Sequence, residues 1–196
     1  MANKIASLGS AGSAAAGIVI SSLSNATPIV ATLAAGHGLK DGDRIAIAGV
    51  TGNTNANGEW TLASTGGTAA TLLGSQGNGA SGGTIRVAKV FDTTPNMRNH
   101  SAAMHLWGNP VATVDIESYE SYADFAAGAN TAGAVAPVVS PSYGTNSAGS
   151  VSTPAKTTLT MTAANAGVAA EVKMARYMRM NVTAYTSGTV GCSVEA

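Results

Sequence analysis

One cysteine, two tryptophans, two phenylalanines and a charged fraction of 10% are what this 196-residue sequence has least of. With Cys192 alone, no internal disulfide can form, so the fold does not rest on an oxidising compartment. Cys192 alternates with Val190 and Val194 and reads as a small buried apolar residue. Charge is both scarce and balanced, with ten Lys plus Arg against ten Asp plus Glu. A net charge of zero excludes binding of nucleic acid or an anionic membrane through bulk charge. No apolar run approaches the roughly 18 residues that a membrane-spanning helix needs. The first 24 residues hold a single basic residue, Lys4, and a short apolar run over 14–20. A secretory signal wants a firmer basic start and a longer apolar centre, so an extended arm on a protein made in the cytoplasm is expected.

Large apolar residues are also few: Leu, Ile, Val and Phe fill 35 positions, whereas Ala, Gly, Ser and Thr fill 103. That shortage would signal disorder if it came with high net charge, which is absent here. It fits Thr- and Gly-rich β-structure that packs against copies of itself, a structural composition more than a catalytic one.

What is present is period-two alternation bounded by Gly, Asn and Ser clusters, the pattern of an all-β protein. In the first half the expected strands are 29–33, 44–48, 59–64, 69–73 and 84–90, joined by tight turns as in a small barrel or sandwich. Periodicity lapses over 91–100, which contains Pro95 and reads as a linker. Strands are expected over 101–107 and 111–118, the latter with Ala112, Val114 and Ile116 on one face and Thr113, Asp115 and Glu117 on the other. Tyr122 and Phe125 are spaced to anchor a helical turn, and 128–154 reads as a long surface excursion. Near the C-terminus, Met178, Met180, Val182 and Ala184 alternate with polar residues. Ser187-Gly188 then turns the chain into Val190, Cys192 and Val194, which predicts a hairpin closing a sandwich, with Thr157, Leu159 and Met161 as another inward set. The expected organisation is therefore an arm over 1–24, a small β-barrel or sandwich over 25–90, a linker over 91–100 and an antiparallel β-sandwich over 101–196.

Candidate chemistry is thin. Gly77-x-Gly79-x-x-Gly82 matches a dinucleotide fingerprint in spacing, but a strand-like Thr84-Ile85-Arg86-Val87 follows where a helix is required, so a Gly-rich loop is expected. His37, His100 and His105 are too scattered for a metal motif, and Asp41-Gly42-Asp43 lacks the later ligands of a calcium loop and reads as a tight turn. Asp115, Glu117, Glu120 and Asp124 are the acidic cluster. Asp115 and Glu117 share a strand face and have the spacing of paired carboxylates, the alternative being a solvated face. Met174, Met178 and Met180 form either a soft metal-binding or interaction stripe or core filling, and the last is expected. Lys173, Arg176 and Arg179 with Tyr177 and Tyr185 could form a ligand patch, a solvated edge or a protein contact rim. No nucleophile elbow, phosphate loop or Cys–His pairing occurs, so no enzyme, catalytic residue, cofactor or metal is expected.

The runs His37-Gly38-Leu39-Lys40-Asp41-Gly42-Asp43-Arg44-Ile45 and Ile47-Ala48-Gly49-Val50-Thr51-Gly52-Asn53-Thr54-Asn55-Ala56-Asn57-Gly58-Glu59-Trp60-Thr61 resemble a small β-domain of tailed-bacteriophage virion proteins. Its pattern is an HGL-x-x-GD turn, a strand, a G-V-x-G-N-x-x-x-N-G-x-W stretch and later strands with a Gly-rich loop. The likeness covers 27–87, under a third of the chain, and a shorter one covers 175–190, which is similar to the last hairpin of phage accessory sandwiches. The resemblance implies a virion structural protein, with a capsid decoration or cement role favoured. It also implies a homo-oligomer, a trimer by preference, bound to other virion proteins: the major capsid protein first, tail proteins as the alternative. Neither nucleic acid nor membrane is an expected partner. The rivals are a tail, neck or baseplate adaptor and a carbohydrate-binding sandwich stacking sugars on Trp107, Tyr119, Tyr122 and Tyr143.

Overall fold

A computed structural model describes residues 5–11, 18–91, 101–108, 111–128, 140–143, 148–152, 156–161, 168–173, 175–187 and 190–195. They form an all-β protein of antiparallel strands. These are β1 (Ile5–Ala11), β2 (Ile20–Leu23), β3 (Val30–Leu33), β4 (Arg44–Gly52), β5 (Gly58–Gly66), β6 (Ala69–Leu72), β7 (Ser81–Val90) and β8 (Ser101–Gly108). They continue as β9 (Val111–Tyr119), β10 (Ser140–Tyr143), β11 (Ala148–Ser152), β12 (Lys156–Met161), β13 (Val168–Lys173), β14 (Tyr177–Ser187) and β15 (Val190–Glu195), with one short helix, α1 (Tyr122–Ala127).

Two sheets hold these strands. One has the order β1-β15-β8-β13-β10, the other β11-β12-β9-β14-β7-β4-β5-β6-β3-β2. All five strands expected in the first half form, and β2 joins them as a sixth. Its far edge curls back toward β7, where the Leu23 N–H donates to Ser81 Oγ at 3.0 Å. Inside this small domain Ile29, Ile45, Ile47, Leu62 and Leu72 are fully buried, with Ile18, Ile20 and Leu23 beside them. Ile18, Ile20 and Leu23 thus share one core with the strands of 25–90. The last residues of the expected arm supply core side chains and strand β2. A register shift between Ile20 and Ser22 breaks their alternation, which is why they do not read as a strand. Further upstream, β1 pairs with β15.

Strand β4 carries Ile45-Ala46-Ile47-Ala48, buried on both faces. The isoleucines fill the small domain, while the alanines face the second half of the chain. At Gly49 the β4–β7 register shifts, so Val50 returns to the same core as Ile47. A side chain at Gly49 is barred twice, by its φ of +79° and by the Thr84 carbonyl oxygen, into which a Cβ would run.

In the second half β9 lies between β12 and β14. Thr157, Leu159 and Met161 stand opposite Ile116, Val114 and Ala112, the buried set of β9. Met178 and Met180 are buried, as core filling requires, whereas Met174 lies outside the described residues. The expected excursion over 128–154 contains β10 and β11, paired to β13 and β12; apart from Gly128 its remainder is outside the described residues, as are 92–100 of the linker.

The hairpin expected at the C-terminus does not form. Strand β14 pairs with β9 and β7, strand β15 with β1 and β8, and the chain crosses from one sheet to the other between them. Parity supplies the reason. A two-residue hairpin loop at 188–189 would pair 187 with 190 and 185 with 192, setting the apolar sets of the two strands on opposite faces. A crossover between facing sheets removes that conflict, and Cys192 is fully buried. Strands β8 and β9, separated by two residues, switch sheets likewise.

Candidate functional site

The polar residues of the motif stretch are spent on backbone. His37 Nδ1 accepts the Leu39 N–H at 3.0 Å. Asp43 accepts the Lys40 N–H at 2.9 Å and pairs with Lys89 Nζ at 2.5 Å, while Asp41 accepts both the N–H and the hydroxyl of Thr65. The Thr65 hydroxyl and N–H bonds hold the exposed Asp41 carboxyl below its ordinary pKa. Asn53, wholly buried, donates to the Ser24 carbonyl at 3.0 Å and accepts the Asn78 N–H at 3.1 Å. Asn57 pairs with both backbone groups of Val50, at 3.0 and 2.9 Å, standing in for a strand neighbour. Trp60 Nε1 donates to the Ala56 carbonyl at 2.8 Å. The Gly77–Gly82 loop leads into strand β7, and a Cβ at Gly77 would meet Asn25 atoms at 2.7–2.8 Å, so close loop packing explains that glycine.

Among the described residues, the densest cluster of charge and aromatic rings lies where the two halves of the chain meet. Strand β14 reaches β7 through Tyr177↔Val90 and Met178↔Lys89, and the Phe91 N–H donates to the Arg176 carbonyl at 2.8 Å. Helix α1 is set by Ser121, whose Oγ accepts the Asp124 N–H at 3.1 Å while the hydroxyl donates to the Asp124 carboxylate at 2.6 Å. It ends at Gly128, φ +66°. This cap places Phe125, fully buried, against Tyr119 and Tyr122 edge-on at 5.9 and 6.1 Å, and stacked on Tyr177 at 6.1 Å. Ala46, Ala48 and Ala88 make the floor on which these rings sit, and the Tyr122 hydroxyl donates to the Ile47 carbonyl at 2.7 Å.

Two ion clusters flank the rings, and each spans the halves. In the first, Glu59 accepts from Arg44 at 2.7 Å, from Arg176 at 2.9 and 3.1 Å, and from the Tyr177 hydroxyl. Burial acts to raise the Glu59 pKa, but the bonds from Tyr177 and Arg176 and the charges of Arg176 and Arg44 outweigh it and hold the carboxyl below its ordinary 4.5. A carboxylate with a lowered folded pKa stabilises the fold above its unfolded pKa, and that contribution is lost as pH falls through the folded value. Urea midpoints are therefore expected to drop between neutral pH and the acid side of 4.5, and to drop less in Glu59→Gln. Identical pH dependence in the two proteins would remove Glu59 from this role.

In the second cluster Glu117 Oε2 accepts the Tyr119 hydroxyl at 2.8 Å and lies 3.6 Å from Arg86 and 3.4 Å from Arg179, while Asn181 reaches its other oxygen at 3.4 Å. Arg86 also donates to Tyr119 Oη at 3.0 Å and lies over the Phe125 ring at 5.4 Å. Burial, with the Glu117 charge and hydrogen bond, pushes the Tyr119 hydroxyl up to about 12, so it stays protonated and donates. Burial lowers the Arg179 pKa, against the opposing charge of Glu117. Burial raises that of the Cys192 thiol.

Several expectations change here. The Asp115–Glu117 face is not solvated: Asp115 is 1% exposed and Glu117 is held by two arginines. Glu120 is partly buried, and Asp124 sits in the first turn of α1, bonded to the capping Ser121. Nor do the basic residues make an outward patch, since Arg176 and Arg179 are turned onto Glu59 and Glu117 and Tyr177 is buried. Tyr119 is buried and Tyr122 partly buried at the junction, each packed edge-on against Phe125. The side chains of Trp107, Tyr143, Lys173, His100 and His105 lie outside the described residues. Among the described residues no group of three or more His, Cys, Asp or Glu is placed to hold a metal, and no helix is long and apolar enough to cross a membrane. What sequence reasoning missed was the junction itself. Its signals were the doubly apolar Ile45-Ala46-Ile47-Ala48 and the Ser121-x-x-Asp124 cap. Comparison of the chain with protein-family models, curated proteins and solved structures finds no match.

Proposed function

We propose that this chain is a structural protein of a tailed-phage virion, working by assembly, with capsid decoration as the favoured role. The observation that carries the reading is the use made of the motif. Its histidine, aspartates, asparagines and tryptophan are engaged in holding turns and strands, which suits a module whose task is shape. The neutral, Ala-, Gly-, Ser- and Thr-rich composition supports contacts with other protein surfaces over contacts with charged polymers. A decoration protein would bridge neighbouring capsid subunits, and repeated attachment around the lattice would amplify weak single contacts.

Immunogold labelling of intact particles with antibody against the chain tests this, with gold expected over the heads. Gold confined to tails would replace decoration with the adaptor role. Bare particles, with the free protein still recognised, would sink the virion reading.

A further inference from the structure

Two Asn-Gly pairs lie among the described residues, Asn57-Gly58 and Asn78-Gly79. Asn-Gly is the pair most prone to spontaneous deamidation, because glycine puts no side chain in the way of ring closure. The Gly N–H loses its proton, its nitrogen bonds to the Asn side-chain carbonyl carbon, and ammonia leaves. Water then opens the five-membered imide at either carbonyl, giving an aspartyl or isoaspartyl residue. The step needs a side-chain amide free to turn and a backbone free to bend.

The fold treats the two pairs differently. Asn57 is half-buried, both ends of its amide are held by the Val50 backbone, and Gly58 opens β5 opposite Ile47 of β4. Freeing it means parting two strands over the core. Asn78 is exposed, on the loop before β7, and its amide bonds only to the Asn55 N–H at 3.2 Å and Thr54 Oγ1 at 2.9 Å. The Gly79 N–H donates to Asn25 Oδ1 at 3.0 Å. These three bonds are at the surface; the Asn78 N–H also donates to the buried Asn53 Oδ1 at 3.1 Å, but a loop so held opens locally at lower free energy than a core strand pair.

We infer that Asn78–Gly79 is a built-in site of hydrolytic modification, and that the fold shields Asn57–Gly58 from the same chemistry. Conversion at 78 removes the amide that donates to Thr54. The isoaspartyl product also lengthens the backbone in a tight place. Gly77 and Gly79 lie so close to Asn25 and Gly52 that a Cβ on either would come within 2.7–3.0 Å of them.

The test is to age the intact folded chain in mildly alkaline buffer and follow both peptides by the mass gained when an amide becomes an acid. A parallel sample in urea gives the rates without the fold. In urea the two pairs are expected to convert at similar rates; in the folded chain 78 is expected to convert at least about tenfold faster than 57. Equal rates in the folded chain, faster conversion at 57, or an intact 78 after the urea sample has converted would each overturn the inference.

Discussion

Glu117→Ala is expected to lower stability by about 3–5 kcal/mol, because it leaves two arginines facing each other in a site already removed from water. Arg86 and Arg179 are each 17% exposed and Glu117 is 12% exposed, so bulk solvent cannot take over the lost charge. The Tyr119 hydroxyl loses its acceptor in the same change. Removing one partner of a buried pair costs more than the pair itself contributes, so the size of the loss reports desolvation and not bond strength. Glu117→Gln keeps an oxygen for Tyr119 while removing the charge, and a smaller loss is expected. Chemical denaturation at neutral pH decides the matter. A loss within about 0.5 kcal/mol, the range of ordinary surface substitutions, would mean that water reaches the cluster after all.

That cluster also marks the limit of what the sequence discloses. Strands in the small domain are legible because large apolar residues such as Ile45 and Ile47, or Trp60 and Leu62, recur at every second position between Gly and Asn turns. Asp115 and Glu117 follow the same rule, and the rule places them in solvent. Alternation separates two faces, but it does not say that one of them is wet. Arg86 from β7 and Arg179 from β14 close on Glu117 there, and those partners lie 31 and 62 positions away from it in the sequence. The separation of β14 and β15 into different sheets was legible in principle, since Met178, Met180 and Val182 share parity with Val190, Cys192 and Val194, which a tight hairpin forbids. Strand β2 was hidden for a local reason: its bulge puts Ile20 and Leu23 three apart.

Phe125→Ala is expected to cost about 3–5 kcal/mol, the range for deleting a buried aromatic ring. Its more informative effect is on cooperativity. The small domain has a core of its own around Ile45, Ile47 and Leu72, while Val114, Ile116, Met178 and Met180 are buried in the second half. The rings of Tyr119, Tyr122 and Tyr177 meet the first half around Phe125, on the alanine floor of β4 and β7. In a Trp107→Phe background, which leaves Trp60 as the one tryptophan, its fluorescence and far-ultraviolet dichroism are expected to report one coincident unfolding transition, as two halves sharing a packed junction should. Without the ring the junction loses its centre, Arg86 loses one of the two rings it lies over, and the two signals are expected to separate. Phe125→Leu retains most of the volume and is expected to keep the signals together at a smaller loss of stability. Coincident transitions in Phe125→Ala, with a loss below about 1 kcal/mol, would mean that the β14–β7 backbone pairing and the Glu59 cluster suffice to couple the halves. The separation of these outcomes is what distinguishes a chain of two tethered domains from one continuous wall, and for a protein proposed to resist load on a particle that difference sets where it would yield.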